Sequence, residues 1–134
     1  MSRTPARSGT DLTAKQLLSY AYSVLEDPPA VLVGRWPRAV ALLARQALET
    51  SLAELWVKRD AKVGWATERS QLLCLSGVLA DRQRSADATL AWNSLSAACH
   101  QHPYDLPPTA SELAAWVDIV DDLRRAVDAI PARR

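Results

Sequence analysis

Apolar residues return along this chain every three or four positions, in five stretches separated by proline-, glycine- or charge-rich breaks. The first stretch, about 11–26, carries Leu17, Leu18, Ala21 and Leu25 on one face, with Thr10 or Asp11 as its expected N-cap. "EDPP" ends it, because a residue before proline avoids the α region, and "AVLVG" has room for one short turn. The second helix is expected from Pro37, a residue suited to a first helical position, to about Arg59, with Leu48, Leu52, Leu55 and Trp56 as its core stripe. After the loop "KRDAKVGW", a third helix over about 67–80 has Leu72, Leu75 and Leu79 on one face and Cys74 and Val78 on another, which predicts burial on two sides. "ADRQRSAD" reads as a polar connection in which Ser85 caps a fourth helix, about 86–101, with Ala88, Ala91, Trp92, Leu95 and Cys99 facing the core. "HPYDLPP" breaks the chain again. Thr109 and Glu112, three apart, then form a capping box that opens a fifth helix. Leu113, Trp116, Val117, Val120, Leu123 and Val127 stripe it to about Ile130, where Pro131 stops it.

Five amphipathic helices on short connections predict an all-α protein, an up-down bundle of four to five helices. The domain is expected over residues 11–130, behind a loose polar tail at 1–10, with Trp56, Trp92 and Trp116 largely buried. Composition agrees: 23 Ala and 19 Leu against 10 Val and 2 Ile favour helix over strand. With 13 Arg to 3 Lys beside so much Ala, the chain points to a GC-rich bacterial genome. A net charge of +1 supplies no overall field for capturing nucleic acid or an anionic membrane, so any nucleic-acid contact needs a local patch. No apolar run approaches the ~18 residues of a membrane helix, and the N-terminus lacks the apolar core of a signal peptide. A cytoplasmic chain with no membrane role is therefore expected. Cys74 and Cys99 lie in apolar helical runs and read as buried free thiols.

Chemistry concentrates at "ACHQHPYDLPPTASE", residues 97–111, which hold both histidines, His100 and His102. Two residues apart on a helix, they point roughly 200° away from each other and do not share a metal ion. No other Cys, His or acidic cluster has a recognised ligand spacing, so neither metal nor cofactor is expected. Cys99 and His100 are adjacent, about 100° apart on a helix, a poor nucleophile–base pair. A third reading places His100 at the end of a polar strip, Thr89–Asn93–Ser96–His100, beside the apolar face of the fourth helix. Such a strip is either solvated surface or the lining of a groove or dimer seam. A histidine at a helix C-terminus is favoured by the macrodipole whatever its function. On the second helix Arg45 sits on or beside the apolar stripe, with Glu49 one turn on. It is either a snorkelling cation held by Glu49 or a cation beside an anion site.

"ARQALETSLAELW" (44–56) resembles the Arg-x-x-Leu-Glu helix common in HEPN domains, the higher eukaryote and prokaryote nucleotide-binding superfamily. "WNSLSAACHQHPYDLPPTASELAAWVDIVDDL" (92–123) is similar to the superfamily's closing pair of helices, and the likeness in order and spacing covers roughly 37–128. The resemblance implies a four- to five-helix up-down bundle that dimerises through its last helices. It also implies a role in bacterial toxin–antitoxin, phage-defence or RNA-processing systems, with RNA, a nucleotide or a cognate protein as partner. Many members are metal-independent ribonucleases built on Arg-x(4–6)-His, the His acting as acid or base and the Arg holding the phosphate. Here the positions that the motif gives to Arg are Asn93, Ser94 and Leu95 before His100, and Leu95, Ser96 and Ala97 before His102. A histidine without its cation lacks the electrostatic half of that mechanism.

The expected function is therefore a HEPN-like binding or regulatory module. Its site centres on His100, with Arg45, Glu49, Asn93 and Ser96 as neighbours and with His102 and Tyr104 in the following loop. The alternatives are an active metal-independent ribonuclease that uses His100 with Arg45 or an Arg of a dimer mate, and a structural helical protein docking a partner through exposed Trp.

Overall fold

A computed structural model describes residues 11–100, 102 and 104–132, and the tail expected at 1–10 lies outside them. The described residues form α1 (Ala14–Glu26), a 3-10 turn (Ala30–Leu32), α2 (Trp36–Arg59), a second 3-10 turn (Val63–Trp65), α3 (Glu68–Leu79), α4 (Arg82–Cys99) and α5 (Ala110–Asp128), with no strand among them. The all-α bundle expected from the apolar periodicity is what the chain builds.

Four helices make the bundle. α2 packs on α1, α4 and α5, and α1 and α4 also pack on α5, whereas α1 and α4 scarcely meet. The cross-section is thus a rhombus with α2 and α5 on the short diagonal. The end of α1 (Tyr22, Leu25, Glu26) borders a cavity with the start of α5, and the start of α2 borders another with the chain that follows α4. α1 and α4 therefore run one way, and α2 and α5 the other. At the far end Lys58 Nζ donates to the Val127 carbonyl at 2.9 Å, placing the C-termini of α2 and α5 side by side. A cation there satisfies a last-turn carbonyl and complements the helix dipole.

α2 is central because its buried face suits close neighbours. Val40, Ala41, Ala44 and Ala47 are fully buried along its first half, and Leu48, Leu52, Leu55 and Trp56 along its second. Side chains of that second group each contribute about 1.5–3 kcal/mol on burial. Leu113, Val117, Val120, Leu123 and Val127 face them from α5, and Ala88, Ala91 and Leu95 from α4. Trp56 is 1% exposed, while Trp92 and Trp116 are partly buried against the core.

The helix starts confirm some caps and correct others. Thr109 and Glu112 form the expected capping box, at 3.1 and 3.0 Å. α1 is capped by Thr13, neither Thr10 nor Asp11, in a second reciprocal box with Gln16. α2 begins one residue before Pro37. α4 begins four residues earlier than its polar sequence suggests: Ala80 turns left-handed (φ 53°) to end α3, and Asp81 caps α4 by accepting from the Arg84 N–H at 2.9 Å. Ser85 then lies buried inside the helix. α3 is the other correction. It packs outside the rhombus, chiefly on α4, so its second apolar face is covered only in part: Val78 is half-buried against the core, while Cys74 and the neighbouring Leu73 are exposed.

One polar network fastens α3 and the turn before it. The Trp56 indole N–H donates to Gln71 Oε1 at 3.0 Å, and Gln71 Nε2 donates to the carbonyls of Ala66 (2.9 Å) and Gly64 (3.4 Å). Gly64 passes so near that an added Cβ would meet Trp56 Cβ at 3.3 Å.

Candidate functional site

Of the polar residues singled out, Arg45 and Glu49 on α2 meet in the seam with α4, where they lie beside Trp92. Arg45 Nε and Glu49 Oε1 pair across 3.3 Å, and the guanidinium carbon lies 4.8 Å from the centroid of the Trp92 ring, a cation–π contact. Arg45 Nε is buried without a hydrogen-bond partner, so the 3.3 Å approach is an ion pair lacking hydrogen-bond alignment. Ser96 Oγ, on the same side of α4 as Trp92, is likewise buried and without a partner. Loss of solvent raises the Glu49 carboxyl above its ordinary range; Arg45 opposes the rise and Glu68 adds to it. Burial also raises the Cys99 thiol, against the opposing pull of Arg45 and Arg38. A thiol held protonated is a poor nucleophile. Both cysteines are free, but only Cys99 is buried; Cys74 is exposed, against expectation.

The histidines stand apart from this seam. His100 is the C-cap of α4 (φ −106°, ψ 23°), its backbone N–H shared between the Ser96 and Ala97 carbonyls and its side chain exposed. Asn93 is exposed too, whereas Thr89 turns back to donate its hydroxyl to the Ser85 carbonyl at 3.1 Å. The strip Thr89–Asn93–Ser96–His100 therefore alternates between seam and solvent instead of lining one groove. Among the described residues no hydrogen bond or ion pair joins the His100 imidazole to a guanidinium. His102 and Tyr104 are exposed and stack with ring centroids 5.3 Å apart. Asp105 fixes that turn: its carboxylate accepts from the His102 N–H at 3.1 Å, and its own N–H donates to the His102 carbonyl at 2.9 Å. No grouping of three or more His, Cys, Asp or Glu among the described residues is placed to hold a metal ion.

Two cavities meet where α2 and α5 begin. One, about 340 Å³, is bordered by Gly34, Arg35, Pro37, Arg38, His102, Asp105 and Pro107. The other, about 470 Å³, takes in Ala97, Ala98, Leu106, Pro108, Glu112 and Trp116 among its walls and shares Asp105 and Pro107 with the first. Together they form one open groove across the 105–107 segment. Arg35 and Arg38 make no ion pair among the described residues. Sequence reasoning missed both, although one signal was present: two arginines within one turn of a helix start, where the dipole favours acidic side chains.

No protein-family model, curated protein or solved structure matches this chain. Among the described residues no helix is long and apolar enough to cross a membrane.

Proposed function

We propose that the chain is a HEPN-like binding and regulatory module of a bacterial defence or toxin-type system, homodimeric, and not a nuclease. The observation that carries this reading is the separation of charges around His100. Cutting RNA by way of its own 2′-hydroxyl needs an acid–base group and a cation that reach the same phosphate. His100 points to solvent at the end of α4. Arg45 is committed to Glu49 and to the face of Trp92. The all-helical bundle and the boxed start of α5 support the likeness to that superfamily.

The test is RNA cleavage by the wild type beside His100→Ala, with divalent ions chelated. Neither protein is expected to cut faster than the buffer control. Cleavage by the wild type that His100→Ala abolishes would overturn the reading. In the same preparation, sedimentation should give about twice the chain mass of 14.7 kDa. A single monomeric species at micromolar concentration removes the dimer from the proposal.

A further inference from the structure

Three of the four connections between successive helices contain proline or glycine, which interrupt a helix. The chain from α1 to α2 has Pro28, Pro29 and Gly34, that from α2 to α3 has Gly64, and that from α4 to α5 has Pro103, Pro107 and Pro108. The fourth is different. Ala80 and Asp81 alone separate α3 from α4, and from Val78 to His102 the sequence has neither proline nor glycine. Alanine is the best helix former, yet Ala80 stands left-handed at φ 53°, ψ 35°, the one positive-φ residue other than glycine among the described residues. That backbone costs an alanine roughly tenfold in population. Asp81 holds the break: its carboxylate accepts from the Arg84 N–H at 2.9 Å and lies 3.4 Å from the Arg84 guanidinium.

The break also divides the molecule into two units. Before it, α1 packs on α2, and Gln71 ties α3 to Trp56 and to the turn at 64–66. After it, α4 packs on α5, with Arg84 Nε 2.8 Å from the Asp122 carboxylate. Contacts between the halves, such as Arg45 with Trp92, Tyr22 with Asp118 and Lys58 with Val127, do not depend on how the chain passes through 80–81. On a helix continued through Ala80, the residues Leu73, Gly77 and Ala80 share one face, at i, i+4 and i+7. All three are exposed, and a Cβ on Gly77 would meet nothing within 4 Å, so two such helices have room to cross closely.

We infer that two copies of the chain exchange halves. α3 and α4 join through Ala80 as one helix over 68–99, and α4 and α5 of each copy pack on α1, α2 and α3 of the other. Every contact between the halves is remade between copies, and both hinges lose their strain. The seam of Arg45, Glu49 and Trp92 is then built from two chains. Loss of the Asp81 cap opposes the change, and the i→i−4 bonds made through the former break offset it. The fold itself names the occupant, because only a second copy carries the same α4 and α5. A short connection holds the halves at roughly millimolar effective concentration; relief at two hinges brings the dimer within reach about a hundredfold lower, at tens of micromolar. None of this rests on the HEPN-like reading, and RNA cleavage does not bear on it.

The test unfolds the full chain in denaturant, refolds it at about 1 µM and at about 500 µM, and sizes the products by sedimentation. The lower concentration should give monomer. The higher should give a dimer that outlasts dilution, since the packed halves must part before they exchange back. In a dimer refolded from isotope-labelled and unlabelled chains, NMR should show cross-relaxation between the Trp92 ring of one chain and the Arg45 side chain of the other. Ala80→Gly relieves the closed hinge and penalises the continuous helix, so the dissociation constant should rise about a hundredfold over the two hinges. Asp81→Ala removes the cap and should lower the constant. Monomer alone at both concentrations overturns the inference, as does either substitution moving the constant the opposite way or not at all. A dimer in which Trp92 and Arg45 meet only within one chain also overturns it, while leaving the proposed homodimer standing.

Discussion

Where α2 and α5 finish, large side chains and hydrogen bonds close the molecule. Where they begin, small side chains and loops leave it open. The buried residues of α2 show the gradient along one helix: Pro37, Val40, Ala41, Ala44 and Ala47 toward the open end, Leu48, Leu52, Leu55 and Trp56 toward the closed one. At the closed end several polar atoms that burial would strand are partnered, the Trp56 N–H and the 64 and 66 carbonyls by Gln71 and the Val127 carbonyl by Lys58, although the fully buried Ser51 hydroxyl has no hydrogen-bond partner. At the open end the described cavities lie side by side, Arg35 and Arg38 have no ion-pair partner among the described residues, and apolar loop residues stand in water. The difference separates what holds the fold from what is free to bind.

The comparison breaks most readily at Gln71. Gln71→Leu keeps much of the volume but leaves a buried indole N–H and two loop carbonyls without partners. Chemical denaturation should show a loss of about 1–3 kcal/mol, with the dependence on denaturant unchanged. A loss under about 0.5 kcal/mol would mean that water replaces the amide and that this end is less closed than the hydrogen bonds indicate.

A smaller effect is expected at the one reciprocal side-chain cap on α5, which sits at the open end. Thr109→Ala removes the oxygen that accepts from the Glu112 N–H. The variant should lose about 1 kcal/mol, measured in the same way. Hydrogen exchange should rise in the first turn of α5 and not around Trp56. Faster exchange at both ends would show that they open as one unit, contrary to the division drawn between them.

These two sites also mark the limit of what sequence conveys. The Thr109–Glu112 box was legible because cap and partner lie within one turn. Arg45–Glu49 was legible for the same reason, at i and i+4. Gln71 was not: a glutamine in an apolar helix reads as solvated until Trp56 and the turn at 64–66 converge on it. The exposure of Cys74 and Leu73 was hidden differently, since periodicity reveals an apolar face but not whether another helix covers it. The start of α4 was misplaced because Ala80 turns left-handed with no glycine to announce it. Nor does any local spacing join Arg35 and Arg38 to His102 and Asp105; packing of α2 beside the end of α4 does that. Helix-scale features were therefore readable, and the groove assembled from two distant loops was not.

The smallest expected effect is the one most specific to the open end. Val33→Ser and Leu106→Ser each replace an apolar side chain that is already mostly in water, at 78% and 94% exposure. The stabilisation of about 1.5–3 kcal/mol that a buried leucine or valine contributes is therefore largely absent at these positions, and little is left to lose. Neither helix geometry nor a cap depends on them, since Val33 follows a 3-10 turn and Leu106 lies in the connection before α5. Each variant should unfold within about 0.5 kcal/mol of the wild type. If the pair together costs well above about 1 kcal/mol, these side chains are buried by something in solution, a second copy of the chain included. The cost would then rise with protein concentration, as it must when a folded contact depends on association. A near-zero cost at every concentration instead leaves both side chains free in the isolated protein, the condition under which a partner can still gain from covering them.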